Sequence, residues 1–261
     1  NVILTQGICH GAALPGIGYP SEDGPNWLIL LLPFVDQQPL YDTYDFHTFN
    51  ESAANVGVQQ GAVATYACPS DQYTNQLTIP AAGPAGALSL PYMPGSYRAM
   101  CGRSDGTVFL DNGSHPLNNY SPSWRGPIHT TGVSNLGAEQ IASIIDGTSN
   151  TLMAGESTTM GGTSSTNVYY RTFWAYSYAS GSLSSATAQA RTLLPDYGTC
   201  QADGGVGGGA PCLRNWGSLH PGGFSFVFCD GAVRFLAAEI DLTLFGNMST
   251  IAGLEVVQVP D

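Results

Sequence analysis

Four groups of residues in this sequence could do chemistry. Gly102-Arg103-Ser104-Asp105-Gly106 has the G-x-S-x-G spacing of a serine nucleophile elbow. That elbow needs a strand before the serine and a helix after it. Here Thr107 to Leu110 reads as a strand and Asp111-Asn112-Gly113 as a turn, so the context fails and the match reads as chance in a Gly/Ser-rich chain. The five histidines are His10, His47, His115, His129 and His220. None forms H-x-H, H-E-x-x-H or a Cys/His pair at zinc spacing, which argues against a catalytic zinc site. Two turns are rich in oxygen ligands, Asp105/Asp111/Asn112 and Asp146/Ser149/Asn150. Calcium takes such ligands from loops, but neither turn has EF-hand spacing. Asp and Asn are also ordinary turn formers, because their side chains hydrogen-bond the backbone. Structural turns are therefore the favoured reading, with Ca2+ the alternative.

The fourth group is the six cysteines: Cys9, Cys68, Cys101, Cys200, Cys212 and Cys229. An even number permits a disulfide framework. Cys200 and Cys212 bracket a Gly-rich stretch, Gly204 to Gly209, and are the expected pair; closing that loop is worth about 3 kcal/mol by chain entropy. Cys68 has no CxxC partner, and Cys229 lies in a strand-like run where a buried free thiol is expected. The loop aromatics Tyr92, Tyr97, Tyr120 and Trp124 could stack on sugar rings of a glycan or pack on their own fold. Asn50, Asn112, Asn119 and Asn247 each open an N-x-S sequon, a weak signal in a chain rich in Asn and Ser.

The composition narrows what these groups can serve. In 261 residues, 43% are hydrophobic and only 10% charged, where an ordinary globular chain has about 25%. All seven basic residues are arginine, and nineteen acids leave a net charge of −12. Nucleic-acid affinity comes largely from Lys and Arg on phosphates, so that partner is excluded as the main business. An anionic membrane surface is disfavoured for the same reason. The polar, uncharged surface suits an extracellular or envelope protein. The longest apolar run, Trp27 to Val35, is interrupted by Pro33 and falls far short of the roughly 20 residues that span a bilayer. The chain opens at Asn1 without a signal peptide, as a mature or trimmed product would.

Several elements must position these residues. Val2 to Leu14 is mildly helical, weakened by Gly7 and Gly11. Gln37 to Tyr44 reads as a short helix with Asp36 as its N-cap. Ala62 to Cys68 and Thr151 to Gly155 read as strands, the first ending at Cys68-Pro69-Ser70-Asp71 and the second closed by Glu156. Asn75 to Ser96 and Asn112 to Thr131 read as long loops, Glu139 to Ile145 as a short helix or strand, and Gly198 to Pro211 as a low-complexity loop. Val168 to Tyr178 reads as a strand with aromatics on two faces. The clearest element is a hairpin. Phe224 to Cys229 alternates with period two, Asp230-Gly231 is a preferred type I′ turn, and Ala232 to Leu236 returns. His220-Pro221-Gly222-Gly223 feeds it.

That hairpin carries a resemblance. Ser218 to Leu236, with His220 and Asp230-Gly231 at H-x9-D-G spacing, resembles the signature of a large bacterial family of prepilin-type, pseudopilin-like envelope proteins. Four other blocks agree in order: Trp27-Leu-Ile-Leu-Leu-Leu-Pro33 to Asp42, Tyr66-Ala-Cys68-Pro-Ser-Asp71, Ile144 to Glu156 with Asp146-Gly147-Thr-Ser-Asn150, and Glu239 to Glu255. The resemblance implies an α+β, pilin-like fold, with an N-terminal helix packed on an antiparallel sheet with long loops. It implies one domain over residues 1–261, in which residues 1–14 are the remnant of that helix and residues 15–261 the head. It also implies a non-enzymatic subunit that assembles with copies of itself outside the cell. A polysaccharide- or solute-binding module of the envelope is the alternative. No metal or other cofactor is implied with certainty. The signature residues His220, Gly222, Gly223, Asp230, Gly231, Asp146, Gly147, Asn150 and Glu156 are expected to be structural. His220 is expected to bond a neighbouring loop or to pair with an acid such as Glu156, and a role as metal ligand is the lesser reading.

Overall fold

A computed structural model describes residues 8–10, 23–81, 88–110, 122–131, 136–159, 172–178, 181–188, 192–194, 197–203 and 209–255. Its strands are β1 (Ile8–His10), β2 (Asp23–Asn26), β3 (Tyr97–Ser104), β4 (Thr130–Thr131), β5 (Leu152–Glu156), β6 (Leu183–Thr187), β7 (Gly223–Phe228) and β8 (Val233–Ala237). Its α-helices are α1 (Trp27–Leu31), α2 (Gln38–Tyr41), α3 (Val56–Gln59), α4 (Tyr197–Asp203), α5 (Gly209–Cys212) and α6 (Leu242–Asn247). The class is α+β, as expected. No helix among the described residues is long and apolar enough to cross a membrane.

Five strands form the main sheet in the order β6-β3-β5-β7-β8. It is mixed rather than purely antiparallel: β3 runs parallel to β6, and the other neighbours are antiparallel. Alternation along the strands splits the apolar side chains between its two faces. Ala99, Cys101 and Ala154 pack under α1 with Trp27, Leu28, Ile29 and Trp174. Met100, Leu152, Phe224, Phe226, Phe228 and Leu236 face the other way, against Trp216 and Phe245 of α6. Leu152 and Ala154 are two residues apart yet belong to different faces. The register shift between them on β7 is the reason, since one extra residue inverts the alternation.

Local chemistry explains the ends of several elements. The Asn26 side chain caps α1 by accepting from the Ile29 N–H at 3.0 Å, while its amide donates to the Trp174 carbonyl at 2.7 Å. Asp241 caps α6 through the Leu244 N–H at 2.8 Å. Cys200 and Cys212 form the expected disulfide, with their Cα atoms 5.5 Å apart.

Several further expectations are corrected. Ile8–His10, within the segment read as a helix remnant, is extended and pairs with β2 and β4; the β-branched Ile8 suits a ladder better than a helix. Asp36 does not cap α2. It ends the preceding 3-10 helix at φ 58°, and Gln37 takes the N-cap position. Ala64–Tyr66 is a 3-10 helix, not a strand, because Tyr66 turns inward to donate to the Leu28 carbonyl at 2.8 Å. The strand near Ser104 precedes it, as β3, and residues 107–110 are not a strand. The aromatics Phe173, Trp174 and Tyr176 lie in irregular chain, all three buried in the apolar clusters, because packing rather than alternation places them. Gly198–Pro211 carries parts of α4 and α5, held together by the disulfide, rather than an open loop.

The hairpin forms as β7 and β8, with Ser225 opposite Phe235 and Val227 opposite Val233. Its turn differs from type I′. Phe228 donates to the Ala232 carbonyl at 2.8 Å, and Gly231 donates back to Phe228 at 2.9 Å, which leaves a three-residue loop, Cys229-Asp230-Gly231. Only Gly231 has positive φ, at 86°, whereas type I′ needs it at both central residues. The Asp230 carboxylate accepts from the Ala232 N–H at 2.8 Å and so supports the same loop.

Candidate functional site

Three sequence blocks that are far apart in the chain meet at one end of the main sheet. Glu156 is the last residue of β5 and Cys68 opens the Cys68-Pro69-Ser70-Asp71 turn. His220 sits in the segment before β7. His220 Nε2 lies 3.0 Å from Glu156 Oε1 and 3.6 Å from Cys68 Sγ. The ligand atoms of all three residues fall within 4.8 Å of one another. Glu156 is 5% exposed and Cys68 9%, while the His220 side chain is 36% exposed, so the cluster is a buried acid and thiol under a partly open imidazole.

Each member is held from behind. Glu156 Oε2 accepts from the Ser225 N–H at 2.7 Å and from the Ser218 hydroxyl at 3.0 Å, which leaves Oε1 turned to His220. The Ser218 hydroxyl also accepts from the His220 N–H at 3.1 Å, fixing the turn that carries the imidazole. Cys68 donates its main-chain N–H to the Ser96 hydroxyl at 2.9 Å and accepts from the Asp71 N–H at the same distance. Asp71, in turn, accepts from the Ser96 hydroxyl at 3.1 Å, from the Thr159 N–H at 2.7 Å and from the Thr159 hydroxyl. The turn is thereby tied to the chain on both sides of the central strands. Cys68, Asp71, Ser96, Glu156 and Ser218 line a narrow recess.

The electrostatics are lopsided. The Asp71 contacts above are all to hydroxyls and amides, and Glu156 meets one imidazole. Nearby, the Tyr97 phenol is pushed above its ordinary range by burial first, then by Cys68, Glu156 and Asp71. A buried carboxylate is costly unless hydrogen-bonding partners meet its oxygens, and each oxygen of Asp71 and Glu156 has one.

Beside the recess runs an open groove. Trp27, Leu31 and Val35 form one wall, and Tyr97, Val227 and Val233 line its sheet side; Glu156 is shared with the recess.

The other sequence candidates lie elsewhere. Asp146 accepts from the Gly253 N–H at 2.7 Å, the Leu254 N–H at 2.8 Å and the Thr250 hydroxyl at 3.3 Å, so it ties down the chain after α6. Asn150 donates to the Asp146 carbonyl at 3.1 Å across a turn in which Gly147 has φ 96°. Gly222 also has positive φ, 85°, and a Cβ on Gly223 would lie 2.2 Å from the Leu236 carbonyl. Asp105 accepts from the Thr107 and Val108 N–H groups; burial opposes them, yet these bonds hold its carboxyl below the usual range. Both acids thus act as turn formers. Asp111, Asn112, His115, Asn119 and Tyr120 lie outside the described residues.

Ser104 is fully buried and donates to the Val108 carbonyl at 2.6 Å, with a strand before it and a turn after. Burial and that donated proton leave its hydroxyl unfit as an elbow nucleophile. Tyr92 is 0% exposed and cannot stack on a sugar; Trp124 carries Arg103 over its ring at 5.5 Å. Asn50 is buried, donating to the Ala175 carbonyl at 2.8 Å, and is closed to glycosylation in the fold. Cys229 is a buried free thiol whose pKa is pushed up to about 12 by burial and then by Asp230.

A model of the family described as a protein of unknown function, DUF1559 (SBP_bac_10), matches residues 11–243. The chain belongs to this family. No curated protein and no solved structure matches it. The recess lies wholly within the matched DUF1559 region. The pairing of His220 with Glu156 was one of two arrangements the sequence left open, and Cys68 as the third member was not foreseen. Zinc spacing rules look for ligands a few residues apart, and Cys68 and His220 are 152 residues apart. The signal available was the Cys68-Pro69-Ser70-Asp71 block itself, a turn with a thiol at its head.

Proposed function

We propose that this DUF1559 protein is a non-enzymatic, pilin-like structural subunit of the bacterial cell surface that associates with copies of itself. The observation that carries the reading is the open apolar face of the β7–β8 hairpin. Val233 is 71% and Phe235 52% exposed, on a strand that pairs on one side with β7 and has no described neighbour on the other. The apolar groove continues that face toward α1, where Phe34 of the adjoining 3-10 helix is 82% exposed. Exposed apolar edge strands are templates for pairing with another chain, and proteins that stay monomeric blunt them with charge. Here the charge on the strand, Arg234, lies over the Phe228 ring at 4.8 Å, while Val233 and Phe235 stand exposed. The H-x9-D-G resemblance to prepilin-type proteins points the same way.

Sedimentation velocity and negative-stain microscopy over a concentration series test this. The wild-type protein is expected to form polymers or defined oligomers, and Val233→Lys with Phe235→Lys to remain monomeric. A protein that stays monodisperse and monomeric at every concentration refutes it. The groove also favours a second reading, an envelope polysaccharide- or solute-binding module, with Tyr97 and Glu156 as its polar contacts. Saturable binding of a glycan that the Tyr97→Ala change abolishes would decide for that reading.

A further inference from the structure

We propose that Cys68, Glu156 and His220 form a binding site for a zinc-class divalent transition-metal ion. One thiolate, one carboxylate and one imidazole supply three bonds, and a water supplies the fourth. The geometry carries the proposal. With Zn–S near 2.3 Å and Zn–N near 2.05 Å, tetrahedral ligation sets sulfur and nitrogen about 3.6 Å apart. The Cys68 Sγ to His220 Nε2 distance is 3.6 Å. Nitrogen and carboxylate oxygen would stand about 3.4 Å apart around the same ion. The observed 3.0 Å between His220 Nε2 and Glu156 Oε1 is that of a hydrogen bond. An ion replacing the shared proton needs those two atoms to part by a few tenths of an ångström, and the sulfur and carboxylate oxygen, which lie within 4.8 Å, to come to about 3.6 Å.

The same nitrogen faces both partners, and this separates a metal site from a nucleophile relay. In a Cys–His–acid relay, one ring nitrogen takes the thiol proton and the other is held by the acid. Here Nε2 meets both the thiol and the carboxylate. A single proton on it serves one of them, whereas a cation placed between the three atoms serves all. Glu156 is already presented for one-point ligation, since Ser225 and Ser218 occupy its Oε2 and leave Oε1 toward the imidazole. Such outer contacts orient metal ligands and set affinity. Binding is balanced by loss of the Cys68 thiol proton to solvent, with the neutral imidazole shifting its proton to Nδ1.

Cobalt titration of the chelator-stripped full chain tests the site. A thiolate-to-cobalt charge-transfer band is expected to saturate at a single equivalent, to vanish when Zn2+ is added, to be absent in Cys68→Ser and to persist in Cys229→Ser. Ser218→Ala is expected to weaken Zn2+ binding about 10- to 100-fold. Because Cys68→Ser could unfold the chain, the wild-type protein gives an independent readout. Zn2+ should slow alkylation of Cys68 at least about tenfold, as mapped by mass spectrometry, since the thiolate is the nucleophile and the metal withholds it. Absence of the band, its survival in Cys68→Ser, or a Cys68 alkylation rate that Zn2+ leaves unchanged would each overturn the proposal.

Discussion

Replacing Glu156 by alanine removes one carboxylate that holds three segments together, and its cost can be worked from the bonds it makes. Oε2 accepts from the Ser225 N–H at 2.7 Å and the Ser218 hydroxyl at 3.0 Å; Oε1 accepts from His220 at 3.0 Å. A hydrogen bond to a charged group is worth about 1.5–3 kcal/mol, and an orphaned buried donor costs about as much. The His220 contact is discounted, because the imidazole is 36% exposed and water can take its place. Removing the charge also relieves the desolvation that the buried carboxylate suffers, which offsets part of the loss. The net expectation for Glu156→Ala is a destabilisation of about 3 kcal/mol, or roughly 6–12 °C in Tm for a chain of this size. Glu156→Gln keeps an amide oxygen for the Ser225 N–H and is expected to cost about half as much. Urea unfolding with a chelator present, followed by fluorescence and far-UV circular dichroism together, measures both variants without contribution from bound metal. A Glu156→Ala protein within about 0.5 kcal/mol of wild type would refute the reasoning, for then the three segments are held by something else.

Two other predictions concern the acids that organise turns. Asp146→Ala is expected to lose about 2 kcal/mol, because two main-chain N–H bonds at 2.7 and 2.8 Å go with the carboxylate. Amide exchange at Gly253 and Leu254 should accelerate in step. If added Ca2+ instead raises the Tm of the wild type but not of the variant, Asp146 is a calcium ligand and the turn reading fails. Glu139 gives a pH prediction. Burial works to raise its pKa, but His129 Nε2 at 3.0 Å and Arg125 Nε at 2.8 Å outweigh it, and the carboxyl lies below its ordinary value near 4.5. A depressed carboxylate stabilises above its unfolded pKa, and that stability is lost as pH falls through the folded value. The stability gap between wild type and Glu139→Gln should therefore shrink as pH falls below about 4.5; a gap that stays unchanged as the pH is lowered to about 2 would contradict the assignment.

The elements legible in the sequence were those whose signal is local. Alternation over Phe224 to Phe228 specified β7, and the glycine at position 231 marked the turn, although the hydrogen bonds made it a three-residue loop. Strand β3 was not legible. Tyr97–Ser104 is buried along most of its length, between α1 on one face and the Trp216 cluster on the other, yet it holds Arg98, Gly102 and Arg103, so its sequence shows neither an apolar run nor a clean alternation. Phe173, Trp174 and Tyr176 misled in the opposite sense. Their spacing imitates a strand, but Trp174 Nε1 donates to the Gly61 carbonyl at 2.9 Å, and each ring is placed by long-range packing instead.

Short-range rules, period-two burial, turn chemistry and the spacing of Cys200 and Cys212 let the sequence by itself mark the hairpin and the disulfide, while the α+β class was implied by the family resemblance of its motifs. Only the tertiary structure decided the site. Cys68, Glu156 and His220 come from a turn, a strand end and a pre-hairpin segment, and no spacing along the chain encodes their meeting. It follows from β5 lying between β3 and β7 in the sheet, which brings the end of β5 beside the segments leading into both neighbours. Strand order is set by burial on two faces at once, a sum over the whole core that no local window contains.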